Sequence, residues 1–251
     1  MASTPRNAAV GLLSGVLLCL CPVPVSAQDT GAAMDMTGMG IYAMEDAMME
    51  AAGARVASAG PSLRRQFAAP PAARPAPVAS LPYRVDPGVR QKVVRIFLDN
   101  GPKDPGYVAE VKQYVASGRV FREFAGIAPR FGFRTGDAVD AYAFYLMVQW
   151  GLANDYRPDP TRAQVAGVRA QAARALAPMA GSLGSSAARQ EFADTLIAQG
   201  VLMAAAHGYA VKQGDTATLR KLASYARRGG AKVFDMDPTR LALVNTGFRP
   251  R

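Results

Sequence analysis

Apolar positions along the chain fall into three regimes. Residues 8–20 form a continuous apolar run that Pro22-Val23-Pro24 breaks. Residues 28–82 carry little periodicity beyond Met44, Met48 and Ala51, which recur at helical spacing and predict a short helix within 42–59. From Tyr83 onward, apolar residues recur every three to four positions between Asp, Pro and Gly, which is the punctuation of helices.

Within that third regime, three Asp-Pro pairs open apolar-periodic runs: Asp86-Pro87, Asp104-Pro105 and Asp159-Pro160. Asp caps free amides, and Pro at the first helical position has no N–H to leave unsatisfied. The first run aligns Val89, Val93, Ile96 and Phe97 and ends near Asn100-Gly101. The second aligns Val108, Val111 and Val115 and stops at Gly118. Residues 120–127 predict a short helix closed by Pro129 and Gly132. Thr135 or Asp137 starts the next, over 138–153, which is apolar nearly all round and belongs in the centre of a bundle. After Asp159, Val165, Val168, Ala172 and Leu176 form an inward stripe, with Arg162, Arg169 and Gln171 expected outside. A loop over 178–186 leads to a long helix over 186–213 that Gly214 stops. Asp215 caps a last helix through Leu219, Leu222 and Ala226, with an interruption expected at Gly229-Gly230. Residues 241–248 read as an extended tail packed on the bundle. The pattern predicts an all-α fold, a single bundle of six or seven helices over 83–251.

The first regime reads as an address. One base, Arg6, precedes the apolar run, and Val25-Ser26-Ala27 places small residues where a signal peptidase cuts. Residues 1–27 are therefore expected to be a signal peptide cleaved after Ala27, giving a periplasmic or secreted chain without a transmembrane span. Cys19 and Cys21 both lie inside it, each preceded by Leu, which argues against a lipoprotein. The mature chain would hold no cysteine, which removes disulfides and thiol chemistry. Residues 28–82 read as a disordered tether, rich in Met and Gly and then in Pro and Ala.

Charge is segregated. Residues 28–60 carry five acids and one Arg, whereas residues 61–251 carry 27 bases and 14 acids. A basic exported body suits an anionic envelope component or an acidic envelope protein as partner; nucleic acid is a poor match outside the cytoplasm. The bland explanation is solubility combined with a general preference for Arg, of which there are 23.

Catalytic chemistry finds few footholds. His207, the only histidine, lies on the apolar stripe of its helix, where a packed role is commoner than catalysis. Asp194 is too many turns away on the same helix to orient it. One histidine and no mature cysteine exclude the usual zinc sites, and no Gly-x-Ser-x-Gly elbow is present. Glycan hydrolysis needs only two carboxylates, for which Asp140, Glu123, Glu191 and Asp194 are the candidates nearest apolar surroundings; Asp140 and Glu123 stand first. Asp137 and Asp140 sit where the helix dipole favours negative charge, and a buried Asp140 would need an arginine partner. Met34, Met36 and Met39 have a spacing that could ligate Cu(I), or simply reflect a loose tether. No cofactor is implied, and none of these residues is assigned a catalytic or metal role.

Trp150-Gly151-Leu152-Ala153-Asn154, then Pro160-Thr161-Arg162-Ala163-Gln164-Val165, and Thr246-Gly247-Phe248 near the end together resemble a family of exported proteobacterial proteins. That family is classed only as a domain of unknown function, and the resemblance covers about residues 83–251. It implies a signal peptide, a variable tether and one helical domain, and it assigns no catalytic residues. The combined expectation is a non-enzymatic helical binding or scaffold module of the envelope. The alternatives are an envelope hydrolase using carboxylates and a methionine-motif copper protein.

Overall fold

The structure, a computed structural model, describes residues 80–101, 103 and 105–251. The expected signal peptide, nearly all of the tether, Met34, Met36, Met39 and the Asp104 cap lie outside the described residues. What is described is all-α apart from one terminal hairpin, with seven α-helices among the described residues.

Helix α1 (Pro87–Asn100) starts as its Asp-Pro pair dictates: the Asp86 carboxylate accepts from Gly88 N–H at 2.7 Å, and Pro87 takes the first helical position. Its inward residues are Val93 and Phe97. Helix α2 (Pro105–Glu110) widens into a π-helical turn, Val111–Ala116. Helix α3 (Arg119–Phe131) is bounded by two left-handed glycines, Gly118 and Gly132, and carries Pro129 inside its last turn.

Helix α4 (Ala138–Ala153) is the axis of the fold. Every one of its residues except Met147 is buried, and it packs against α5 (Arg162–Leu176), α6 (Ser186–Gln213) and α7 (Thr216–Phe234). Asp137 caps it, accepting from Val139 N–H at 2.9 Å. Ahead of α1, residues 80–83 lie antiparallel to residues 136–138: Tyr83 N–H donates to Gly136 O and Ala138 N–H to Leu81 O. Helices α4 and α6 run in the same direction, since Tyr142 meets Phe192 (ring centroids 5.9 Å) and, further along both, Gln149 meets Met203. Among the described residues no helix is long and apolar enough to cross a membrane.

Four expectations change. Helix α5 is capped by Thr161, not Asp159: Thr161 and Gln164 form a reciprocal capping box, which satisfies two amide donors at the helix start. Arg169 and Gln171 do not face solvent; Gln171 is buried and Arg169 is largely so, because each finds a polar partner on another element. Gly229-Gly230 does not interrupt α7; a side chain at Gly230 would run into Pro238, so glycine there serves close approach. The C-terminal segment is not a single extended tail. It is a hairpin of β1 (Leu241–Val244) and β2 (Gly247–Pro250), with Leu243 opposite Phe248 and Val244 opposite Gly247. Gly247, at φ 100°, closes the turn and lies against Gly167 of α5 with no room for a side chain between them.

Candidate functional site

Buried polar residues at the start of α4 form the first cluster. Asp140 is fully buried. It accepts from Arg134 Nε at 2.9 Å and Arg169 Nη2 at 3.2 Å, while Arg169 Nε faces its other oxygen as an ion pair. Burial pushes the Asp140 carboxyl upward, against the pull of the Arg169 and Arg134 cations. Asp137 also pairs with Arg134 and accepts from Ser80 Oγ. The arrangement ties the chain before α1, the α3–α4 connection and α5 to one helix end.

Asp194, on α6, is the second buried carboxylate. Gln190 Nε2 donates to it at 2.9 Å, Arg90 of α1 lies 3.5 Å away and Tyr83 Oη donates at 3.5 Å. Burial again raises its carboxyl, and burial together with the Asp194 charge pushes the Tyr83 phenol above the ordinary tyrosine value. Gln190 also accepts from Asp86 N–H and donates to Asp86 O, so this cluster locks α1 onto α6. Glu123 stands apart from both clusters, half-buried on α3 and paired with Arg119 one turn earlier at 2.7 Å.

His207 is buried on α6, and its Nε2 lies 3.7 Å from Asp155 Oδ1. Asp155 comes from the α4–α5 connection, adopts a left-handed φ of 47°, and is gripped by Arg157 through both oxygens at 3.2 and 3.1 Å. Burial holds the imidazole below its ordinary value, with the Asp155 charge opposing. Sequence spacing could not reveal this carboxylate, because it reaches His207 through the fold and not along the helix. Among the described residues Asp155 is the acid that faces His207, and no hydroxyl hydrogen-bonds to the ring.

The α4–α6 seam holds hydrogen-bonding capacity that the protein does not use. Tyr142 Oη, Gln149 Oε1 and both amide atoms of Gln199 are buried without a partner among the described residues, each at a cost of about 1–3 kcal/mol. The described residues include no group of three His, Cys, Asp or Glu that could hold a metal ion.

Helix α7 carries a row of exposed bases. Arg220, Lys221, Arg227, Arg228 and Lys232 are all exposed, and the helix contains no acid. At 100° per residue these five bases fall within an arc of about 140°, opposite the buried stripe of Leu222, Ala226, Gly229 and Val233. The neighbouring acids sit at and beyond the helix ends: Asp215 is its N-cap, near Lys221, exposed Asp235 is its C-cap, three residues past Lys232, and Asp237 caps the next turn, near Arg227. Arg228 is held along the helix by Ser224 Oγ at 2.8 Å and by the Tyr225 ring at 4.7 Å. The sequence shows Arg227-Arg228 and Lys232 as a small cluster; only the helix, continuous through Gly229-Gly230, aligns them with Arg220 and Lys221.

Neither a curated protein nor a solved structure matches the chain. The family of unknown function DUF6683 matches residues 7–251, nearly the whole length, and the protein therefore belongs to that family.

Proposed function

We propose that the protein is an exported, non-enzymatic binding module of the cell envelope, which presents the basic face of α7 to an anionic partner. The observation that carries this reading is that face: five exposed bases with no acid between the capping residues Asp215 and Asp235, and a packed bundle behind it. The interior supports it too. The buried carboxylates Asp140 and Asp194 are spent on Arg134, Arg169, Arg90 and Gln190, which join separate elements of the fold, and Glu123 is paired with Arg119. Export is supported by Arg6, the apolar run and the Val25-Ser26-Ala27 cleavage pattern.

The test has two readouts on cells making the native chain. Mass spectrometry of the periplasmic fraction should find a chain beginning at Gln28; full-length chain confined to the cytoplasm would overturn export. Affinity capture from envelope extracts at moderate salt should recover an anionic component with the native chain and lose it with Arg220→Glu/Arg227→Glu. Equal recovery by both would overturn the assignment to α7.

A further inference from the structure

We infer that the anionic partner of α7 is a phospholipid bilayer surface, on which the helix lies flat through its bases. The inference rests on the reading above for the sign of the partner's charge and for the face used, but not for export, since anionic bilayers bound more than one compartment.

The shape and chemistry of the face favour a bilayer over a folded acidic protein. Protein interfaces are built around a desolvated core in which Trp, Tyr and Arg anchors are seated in pockets. The outward face of α7 offers long, exposed cations along one convex cylinder, and its aromatic, Tyr225, is half-buried and covered by Arg228. Val85, the large hydrophobic that stands exposed among the described residues, lies far from α7 in the chain, ahead of α1. A charged lipid surface asks for no pocket. It is a plane of phosphate charge that rewards every base brought within about a Debye length.

From Arg220 to Lys232 the bases span about 18 Å of helix, so a flat surface meets all five together. Their arc is wide enough that rolling the helix by some tens of degrees keeps most of them in contact. The helix cannot insert, because its apolar stripe of Leu222, Ala226 and Val233 is already committed to the bundle. Contact is therefore peripheral, reversible and strongly dependent on salt.

Sedimentation with vesicles tests this, using the chain in the form recovered from the cells that make it. Vesicles of equal parts phosphatidylglycerol and phosphatidylcholine should carry the protein down at low salt, and pure phosphatidylcholine vesicles should not. Each base at an anionic bilayer surface multiplies partitioning about fivefold, so Arg227→Gln/Arg228→Gln/Lys232→Gln should lower it by about 100-fold. A control that removes the same charge elsewhere, Arg95→Gln/Lys112→Gln/Arg162→Gln, should lose far less; all six side chains are exposed, and helical circular dichroism checks that both variants fold. Equal losses in the two variants would overturn the inference by showing that net charge acts without a face. Failure to sediment, with α7-dependent binding to duplex DNA or to polyglutamate, would overturn the bilayer while leaving an anionic partner in place. Failure with all three probes would overturn both.

Discussion

Gln171→Met isolates the contact that fastens the C-terminal hairpin to the bundle. The Gln171 amide accepts from Phe248 N–H and donates to Phe248 O, both at 2.8 Å, across 77 residues of sequence. Phe248 is fully buried, so a thioether of similar length leaves two backbone groups without partners, at about 1–3 kcal/mol each. The expected loss is therefore about 2–6 kcal/mol. The hairpin is otherwise held by the buried Phe248 ring and Leu241 side chain, about 1.5–3 kcal/mol of burial each, and by Trp150 Nε1 donating to Leu241 O at 2.9 Å and Gln164 Nε2 to Leu243 O at 3.4 Å, about 1 kcal/mol each. Losing the clamp removes a large share of the total, so the hairpin should loosen before the bundle melts. Trp150, the only tryptophan, reports the event directly, because its ring packs 5.8 Å from Phe248. Its emission should shift to the red in the variant under native conditions. The unfolding midpoint should fall by about 5–20 °C. Unchanged emission and an unchanged midpoint would refute the clamp.

Asp140→Asn should lower stability by about 3 kcal/mol, mostly by stranding Arg169, since Arg134 is half-exposed and its pairing is screened; an unchanged denaturation midpoint would refute the structural role and return Asp140 to the catalytic candidates. The single His207 resonance should titrate below 6.5, because burial favours the neutral ring. Its contribution to stability is then fully present above pH 6.5 and is lost as pH falls through the folded value; a midpoint at or above 6.5, or a His207→Gln variant with the same acid sensitivity as the native chain, would contradict this. Gln199→Met removes two unpartnered buried atoms and should leave stability unchanged or raise it by up to about 2 kcal/mol. A clear loss in thermal unfolding would show that the amide is partnered in solution.

Helix starts and stops were legible where one residue decides them. Asp86-Pro87, Asp137, Gly214 and Asp215 act locally, through amides one to three residues away, so their effect can be read from the chain alone. The structure departs from the local pattern where two signals compete or where a distant element decides. Asp159-Pro160 and the Thr161–Gln164 box offered rival starts, and the box closes two hydrogen bonds. Arg169 and Gln171 look like the polar face of an amphipathic helix, and nothing nearby announces Asp140 or the backbone of Phe248 as their partners. The hairpin is too short for its alternation to stand out, and its sharpest cue, Gly247, makes sense only once Gly167 is seen against it. The His207–Asp155 contact and the five-base row on α7 share this character. Both depend on what the fold brings together, and the row also depends on helix α7 running unbroken past two glycines.

If α7 is the working surface of an envelope protein, as proposed, cell fractionation reveals it most directly. Cells should make either the native chain or Arg227→Glu/Arg228→Glu/Lys232→Glu at matched levels, followed by separation of soluble and envelope fractions at low and high salt. The native chain should fractionate with the envelope at low salt and leave it at high salt. The variant, with its helical signal unchanged, should be soluble in both. An envelope-bound variant indistinguishable from the native chain would contradict a role for α7 at the envelope.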